Sequence, residues 1–224
     1  MKLKLLIAGL ALATAAIAQD TIDLTRLYKV GDVDKYKMDM KMVGQMGEVT
    51  VSLDLTQTIK KLYDNGDADI ESQSGEVKIV AMGQNMNQPG GPATTQRHNK
   101  LGQPVGVKGG GQMDFMRFAT FIGDGKAKVG ETVTIDYKDA ENPKNTAKGT
   151  VKIDSLENGV AKILIDLDVT SPNTGDKPMK MKMTNWYDVA AHKPNKMVGK
   201  ITNLPQAGGM PMDSVDITMT RVVK

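Results

Sequence analysis

The sequence has no cysteine and few aromatic residues, with three phenylalanines and one tryptophan among its 224 residues. The absence of cysteine excludes a disulfide framework, thiolate metal ligands and a cysteine nucleophile. The sequence also lacks an excess of one charge sign, because 29 basic residues stand against 26 acidic ones. A chain with so little net charge is a poor candidate for binding nucleic acid or an anionic membrane surface.

A long apolar run is missing as well. The uncharged stretch at 5–16 follows Lys2 and Lys4 and has 12 residues, fewer than the roughly 18 that span a bilayer. Its small residues before position 19 complete the order of a secretory signal peptide, predicted over residues 1–18. We therefore expect an exported protein, periplasmic or extracellular. Its mature chain, 19–224, would lack a transmembrane segment and carry 27 basic against 26 acidic residues, since both lysines leave with the signal.

Alternation of polar and apolar residues dominates the mature chain. Between Lys35 and Met42, for example, Lys and Asp alternate with one tyrosine and three methionines. Successive side chains of a strand point to opposite faces, so each such segment has one buried face and one solvated face. Parallel sheets would show continuous apolar runs instead. The pattern predicts antiparallel β structure, and the other residues predicted to point inward are Val51, Leu53, Val133, Ile135, Tyr137, Ile163, Ile165, Leu167, Val169, Met179, Met181, Met183, Val215, Ile217 and Met219.

Two halves of the sequence correspond to each other. Each has a Lys-Val-Gly-acid segment before a strand, an Asn-Gly pair that predicts a two-residue hairpin turn, and a histidine-containing segment further on. Three matches in the same order predict two duplicated β units of about 28–111 and 128–224. The matched segments are 29–32 with 128–131, Asn65-Gly66 with Asn158-Gly159, and 98–102 with 192–197.

The two units are expected to share one core, because neither half alone has enough strands to cover its apolar face. No flexible linker separates them. The predicted fold is therefore mainly all-β, a single domain over 19–224 in which the duplicated units form a curved antiparallel sheet or half-barrel.

The segment between the units breaks the alternation. Residues 112–122 contain all three phenylalanines, and Phe115, Phe118 and Ile122 recur at helical spacing. We predict a short helix over about 112–122 that packs on the inward face of the sheet. It would be either a plug of the core or a lid over an apolar cavity.

An apolar ligand pocket between this helix and the sheet is the first hypothesis for function. Unbranched methionines line adaptable apolar sites, and the ligand would be a lipid or acyl chain. A structural or protein-interaction module of the cell envelope is the alternative. The residues predicted to line the pocket are Met113, Phe115, Met116, Phe118, Phe121, Ile122, Met38, Met40, Met181 and Met183.

Metal and catalytic chemistry are weaker hypotheses. The 16 methionines raise the possibility of Cu(I) handling, because thioethers are soft ligands. Six of them form two alternating triplets, Met38, Met40 and Met42 and Met179, Met181 and Met183. Both triplets are predicted to point inward, where packing explains them. His98 and His192 would form a two-histidine site if the halves bring them together, and otherwise occupy solvated turns. The acidic run 64–71 lacks the pattern of a calcium loop and predicts a hairpin turn with outward polar side chains. No serine-nucleophile or phosphate-loop motif fits, so we predict a non-enzyme without catalytic residues, metal or cofactor.

Short motifs resemble those of a known group of proteins. The Lys-Val-Gly-Glu entry to a strand at 128–135, an Asn-Gly hairpin, and the Trp-Tyr-Asp strand at 186–188 resemble exported bacterial β-sheet domains of unknown function. The arrangement is more distantly similar to half-barrel lipoprotein and lipid carriers of the bacterial envelope. That resemblance implies a curved antiparallel sheet over an apolar concavity plugged by a helix. The chain lacks the acyl-anchored cysteine of the lipoprotein relatives, and no site residue carries over.

Overall fold

The computed structural model describes residues 21–45, 47–105, 125–138, 143–171, 177–204 and 212–223. These residues form strands and contain no helix, which confirms the all-β prediction. The predicted signal peptide and the predicted helix at 112–122 lie outside the described residues. No helix in the described part of the chain is long and apolar enough to cross a membrane.

The strands follow the alternating segments of the sequence. Those predicted from alternation have 7 to 16 residues, whereas four of the additional ones have three to five. In chain order the strands are β1 (Thr21–Asp23), β2 (Val33–Gly44), β3 (Gly47–Leu62), β4 (Ala68–Ala81), β5 (Gln84–Gln88), β6 (Thr94–His98), β7 (Lys126–Lys128), β8 (Thr132–Lys138), β9 (Thr146–Glu157), β10 (Val160–Thr170), β11 (Met179–Asp188), β12 (Lys193–Thr202) and β13 (Met212–Arg221).

One large antiparallel sheet contains eleven of the described strands, in the order β5-β4-β3-β2-β13-β12-β11-β10-β9-β8, with β6 also paired to β4. Consecutive strands pair from β2 to β5 and from β8 to β13, as antiparallel strands that follow one another along the chain can. Pairing of β13 with β2 joins the two halves. The sheet stays open, because the described β8 does not pair with β5 or β6. Strands β1 and β7 form a separate two-stranded sheet.

The main hydrophobic core lies on the inward face of β8 to β13. Leu167 of β10 and Met181 of β11 pair in register and are both 0% exposed. Ile22 and Leu24 from the beginning of the described chain pack into the same core, together with Ala127 of β7. The small sheet therefore covers part of the large one. The predicted inward parity of β8, β10, β11 and β13 is confirmed.

Two matching turns precede β2 and β8. Gly31 N–H donates to the carbonyl of Ile59 at 2.9 Å, and Gly130 N–H donates to the carbonyl of Ile153 at 2.7 Å. Both glycines have positive φ angles, 89° and 83°, a conformation that glycine adopts without steric cost. These equivalent contacts favour the predicted duplication of the β units.

The two Asn-Gly pairs form different turns. Asn158 and Gly159 have φ angles of 51° and 78°, as the predicted two-residue turn requires. The prediction is wrong for Asn65-Gly66, which lies inside the five-residue connection between β3 and β4. There the side-chain oxygen of Asn65 accepts a hydrogen bond from the backbone N–H of Asp67 at 3.2 Å. This local bond stabilises a wider loop.

Candidate functional site

The inward sides of β2, β3 and β4 form an apolar surface that is only partly buried. Met40 pairs with Val51, and Val51 pairs with Ile79, so apolar side chains continue across all three strands. All three residues are half-buried, in contrast to the buried inward residues of β10 and β11. We call this surface the first-half apolar face; it comprises Met38, Met40, Met42, Val49, Val51, Leu53, Val77 and Ile79.

The residues predicted to line a pocket lie in different environments. Met38 and Met40 belong to the first-half apolar face, whereas Met181 and Met183 lie in the closed core at 0% and 4% exposure. The six others, Met113, Phe115, Met116, Phe118, Phe121 and Ile122, lie outside the described residues. Met38 is nevertheless buried at 7% exposure, and Met40 packs against the main core while staying half-buried. Burial of Met38, Met181 and Met183 favours a packing role over metal binding.

A segment near the beginning of the described chain joins the small sheet to the large one. We call residues 24–28 the crossover segment. The hydroxyl of Tyr187 donates to the carbonyl of Thr25 at 2.9 Å, and that of Tyr28 donates to the carbonyl of Asn99 at 3.0 Å. Two tyrosines thus fix the segment to distant parts of the chain.

Arg26 of the crossover segment lies among three tyrosines. Burial opposes its charge, but Tyr36, Tyr28 and Tyr187 more than offset this effect and hold the pKa of the guanidinium above its ordinary value. Arg26 Nη1 is out of contact with solvent and has no hydrogen-bond partner among the described residues. The same is true of the Tyr36 hydroxyl. No motif in the sequence predicts this cluster, because Arg26 stands alone in a mostly apolar segment.

The three tyrosines stay neutral at neutral pH. Burial raises the pKa of Tyr28, Tyr36 and Tyr187, and the opposing attraction of Arg26 is smaller. A phenol buried in this way keeps its proton.

A network of charges adjoins the cluster. The Asp34 carboxylate lies 3.0 Å from Lys193 Nζ and 3.5 Å from Arg221 Nε. Lys193 also lies 3.7 Å from the carboxylate of Asp32. These pairs connect β2 with β12 and β13 across the junction of the two halves.

A small cavity lies beside Arg26. The centre of a water molecule can occupy about 10 Å³ of this cavity, so there is room for about one water molecule. Arg26, Tyr28, Ile59, Ile70 and His192 are among the residues that line it. A larger surface recess of about 330 Å³, at the ends of β3 and β4, lies on the outward side, away from the first-half apolar face.

The two histidines occupy different positions in the two halves. His98 lies opposite Ala68 in the pairing of β6 with β4, and Tyr187 lies opposite Ala161 in the pairing of β11 with β10. Both alanines stand three residues after the asparagine of an Asn-Gly pair. The structural counterpart of His98 is therefore Tyr187, and His192 lies in the turn before β12.

In each histidine ring, Nδ1 lies within hydrogen-bond distance of a backbone carbonyl oxygen. His98 Nδ1 lies 3.2 Å from the carbonyl of Gln96, and His192 Nδ1 lies 2.7 Å from the carbonyl of Thr25. A ring nitrogen that bonds to a carbonyl must carry the proton. The described residues contain no group of three or more His, Asp or Glu arranged to hold a metal ion.

Burial lowers the pKa of His98 to about 4, so protonation should weaken the fold. The unfolded chain takes up the proton below about pH 6.5, whereas the native state stays neutral until about pH 4, so the contribution of His98 is lost as the pH falls through this window. We expect the wild type to lose about 2 kcal/mol more than His98→Gln between pH 7 and pH 5. Urea unfolding followed by the fluorescence of Trp186 measures this difference, and equal losses in both proteins would contradict it.

The acidic run 64–71 contains a buried carboxylate with an arginine partner. Asp67 is 7% exposed, and its Oδ2 accepts a hydrogen bond from Arg97 Nε at 2.9 Å and lies 2.9 Å from Arg97 Nη2. The Arg97 guanidinium also lies 3.8 Å from the centre of the Tyr63 ring. The prediction that polar side chains of this turn point outward is wrong for Asp67, because the charge-assisted hydrogen bond from Arg97 offsets the cost of its burial.

Comparison with protein-family models and with curated proteins finds no match for this chain. Function is therefore inferred from two features of the molecule. One is the partly exposed first-half apolar face, and the other is the buried cluster around Arg26.

Proposed function

We propose that this protein is a non-catalytic, exported carrier that binds one acyl chain along the first-half apolar face. The observation that carries the proposal is the partial exposure of a continuous apolar surface from Met40 across Val51 to Ile79. Scattered apolar side chains are ordinary on protein surfaces, whereas contiguous patches mark binding sites.

The dimensions of β3 suit such a ligand. A strand rises about 3.4 Å per residue, so the half-buried inward side chains from Val49 to Leu53 extend over about 14 Å, comparable to part of an extended acyl chain. Met40 and Met42 of β2 lie opposite Val51 and Val49, and their unbranched side chains adapt to the shape of a bound chain. In this proposal the sheet curves around the ligand as a half-barrel.

Export supports the same function. A signal peptide over residues 1–18 would deliver the protein to an envelope or extracellular space in which acyl lipids are present. The outward side of the sheet pairs lysines with carboxylates across strands, for example Lys182 with Asp166 at 3.2 Å. Such mixed exposed charges keep that side solvated and leave the inward side for the ligand.

Val51→Asp tests the proposed site directly. A carboxylate at the centre of the first-half apolar face would have to be desolvated by the acyl chain, so we expect the affinity for a fluorescent long-chain fatty acid to fall by at least about tenfold. Thr50→Asp is the matched control, because Thr50 is the adjacent residue of β3 and points to the opposite side, where it pairs with Lys41. The control should bind like the wild type.

Two results would contradict acyl-chain binding. One is a wild-type protein that neither retains lipid in native mass spectrometry nor binds the fluorescent fatty acid. The other is equal binding by the wild type and a folded Val51→Asp variant. The alternative function, a structural or protein-interaction module, would then be favoured by the exposed Val80, Met82 and Met86 around the β4–β5 hairpin.

A further inference from the structure

A row of polar side chains interrupts the inward face of the first half. Gln57 of β3 lies opposite Asp34 of β2 and Ser72 of β4, and Ser72 lies opposite Thr94 of β6. We call these four residues the polar row. Side chains that are opposite one another point to the same side of a sheet, so a ligand on the inward face meets polar groups at this row.

The polar row lies where the open part of the face ends. Leu55, the inward residue before Gln57 on β3, is half-buried, whereas Ile59, the inward residue after it, is 5% exposed. Ile59 packs in one cluster with Tyr28, and the cavity between Ile59 and Arg26 has room for about one water molecule. The head group of a ligand would therefore stop at the polar row.

Gln57 and Ser72 provide donors and acceptors at this place. Gln57 Nε2 donates to Ser72 Oγ at 3.5 Å, which is long for a hydrogen bond. An amide also accepts hydrogen bonds through its oxygen, and a serine hydroxyl also donates. The two side chains therefore suit a group that both donates and accepts. A hydroxyl does both, whereas an ionised carboxylate only accepts.

The charges beside the polar row balance. Arg26 and Lys193 line the same cavity as Gln57, and so do Asp32 and Asp34, which gives two positive and two negative charges. Lys193 Nζ lies 3.0 Å from the carboxylate of Asp34 and 3.7 Å from that of Asp32. An anionic head group at Gln57 would lie close to two carboxylates whose lysine partner is already engaged, and such a juxtaposition of like charges disfavours binding.

We propose that the acyl ligand has an uncharged head group with hydroxyls, as a monoacylglycerol does, and that Gln57 and Ser72 bind this head group. The inference rests on the proposed acyl-chain site and adds the chemistry of the head group. From Val51 to Gln57 the inward side of β3 extends over about 20 Å. The chain lies on the first-half apolar face while its hydroxyls reach the polar row.

Competition with the fluorescent fatty acid tests the head group. The competitors are a monoacylglycerol, a lysophosphatidic acid and a methyl ester, all with the same acyl chain. We expect the monoacylglycerol to displace the probe at a concentration about tenfold lower than the lysophosphatidic acid does. Equal displacement by these two, or a preference for the phosphate, would overturn the head-group inference and leave the acyl-chain site standing. Failure of every lipid to bind would overturn both.

Gln57→Leu shows whether the amide contacts the head group. Loss of one hydrogen bond should weaken binding of the monoacylglycerol about fivefold, whereas the methyl ester, which has no hydroxyl, should bind as it does to the wild type. Thr58→Leu is the matched control, because Thr58 is the next residue of β3, points to the opposite side and pairs with Glu71. An equal loss for both lipids in Gln57→Leu would mean that residue 57 does not recognise the head group, contrary to the inference.

Discussion

Leu167→Ala is expected to lower the free energy of unfolding by about 3 to 4 kcal/mol. Leu167 is 0% exposed, and its neighbours in register are Gly149 of β9 and Met181 of β11. Removing its side chain leaves a cavity, because strands held on both sides cannot move in to fill the space. Urea unfolding of the variant and the wild type, followed by circular dichroism, measures the loss.

Leu53→Ala provides the matched comparison on the other half of the sheet. Leu53 pairs with Met38 and Val77 on the first-half apolar face and is half-buried. Part of its side chain already meets solvent, so we expect its truncation to cost about 1 kcal/mol. Equal losses for Leu53→Ala and Leu167→Ala would mean that the two inward faces are equally packed, which would contradict the open state of the proposed ligand surface.

The strands and their inward residues were predictable because alternation is a local property of the sequence. The parity of Met40, Val51 and Leu167 follows from their immediate neighbours alone. The degree of burial does not, because it depends on what packs over each face. Ile22 and Leu24 pack into the core of the second half, and no local pattern relates these residues to strands more than a hundred positions away.

The Arg26 cluster could not be derived from the sequence for the same reason. Tyr28 belongs to the same segment as Arg26, whereas Tyr36 lies on β2 and Tyr187 on β11, and only the fold brings these two to Arg26. The available signal was a basic residue between apolar ones at 24–28, which is weak by itself. The predicted match of His98 with His192 is wrong. The pairing register, rather than the residue type, shows that Tyr187 is the counterpart of His98.

Gly149→Ala is expected to destabilise the protein by about 4 kcal/mol or to prevent its folding. Gly149 lies on β9 with a φ angle of 149° and pairs with both Ile135 and Leu167. A Cβ at this position would overlap the carbonyl oxygen of Asp166 and lie 2.9 Å from the Cα of Leu167. Both atoms belong to the backbone of β10, which is held between β9 and β11 and cannot move away without breaking the sheet.

Gly199→Ala separates this backbone overlap from the general effect of placing a side chain at a buried strand glycine. The nearest atom to a Cβ at Gly199 is Cγ of Met183, at 2.6 Å. A methionine side chain can change its rotamer to give way, so we expect Gly199→Ala to cost about 1 kcal/mol. Soluble yield and urea unfolding of the two variants measure the difference. If both variants lose the same stability, β10 is not rigidly held at Asp166. If only Gly149→Ala is severe, close approach of β9 to β10 explains why a glycine, the weakest strand former, stands opposite the most deeply buried leucine of the core.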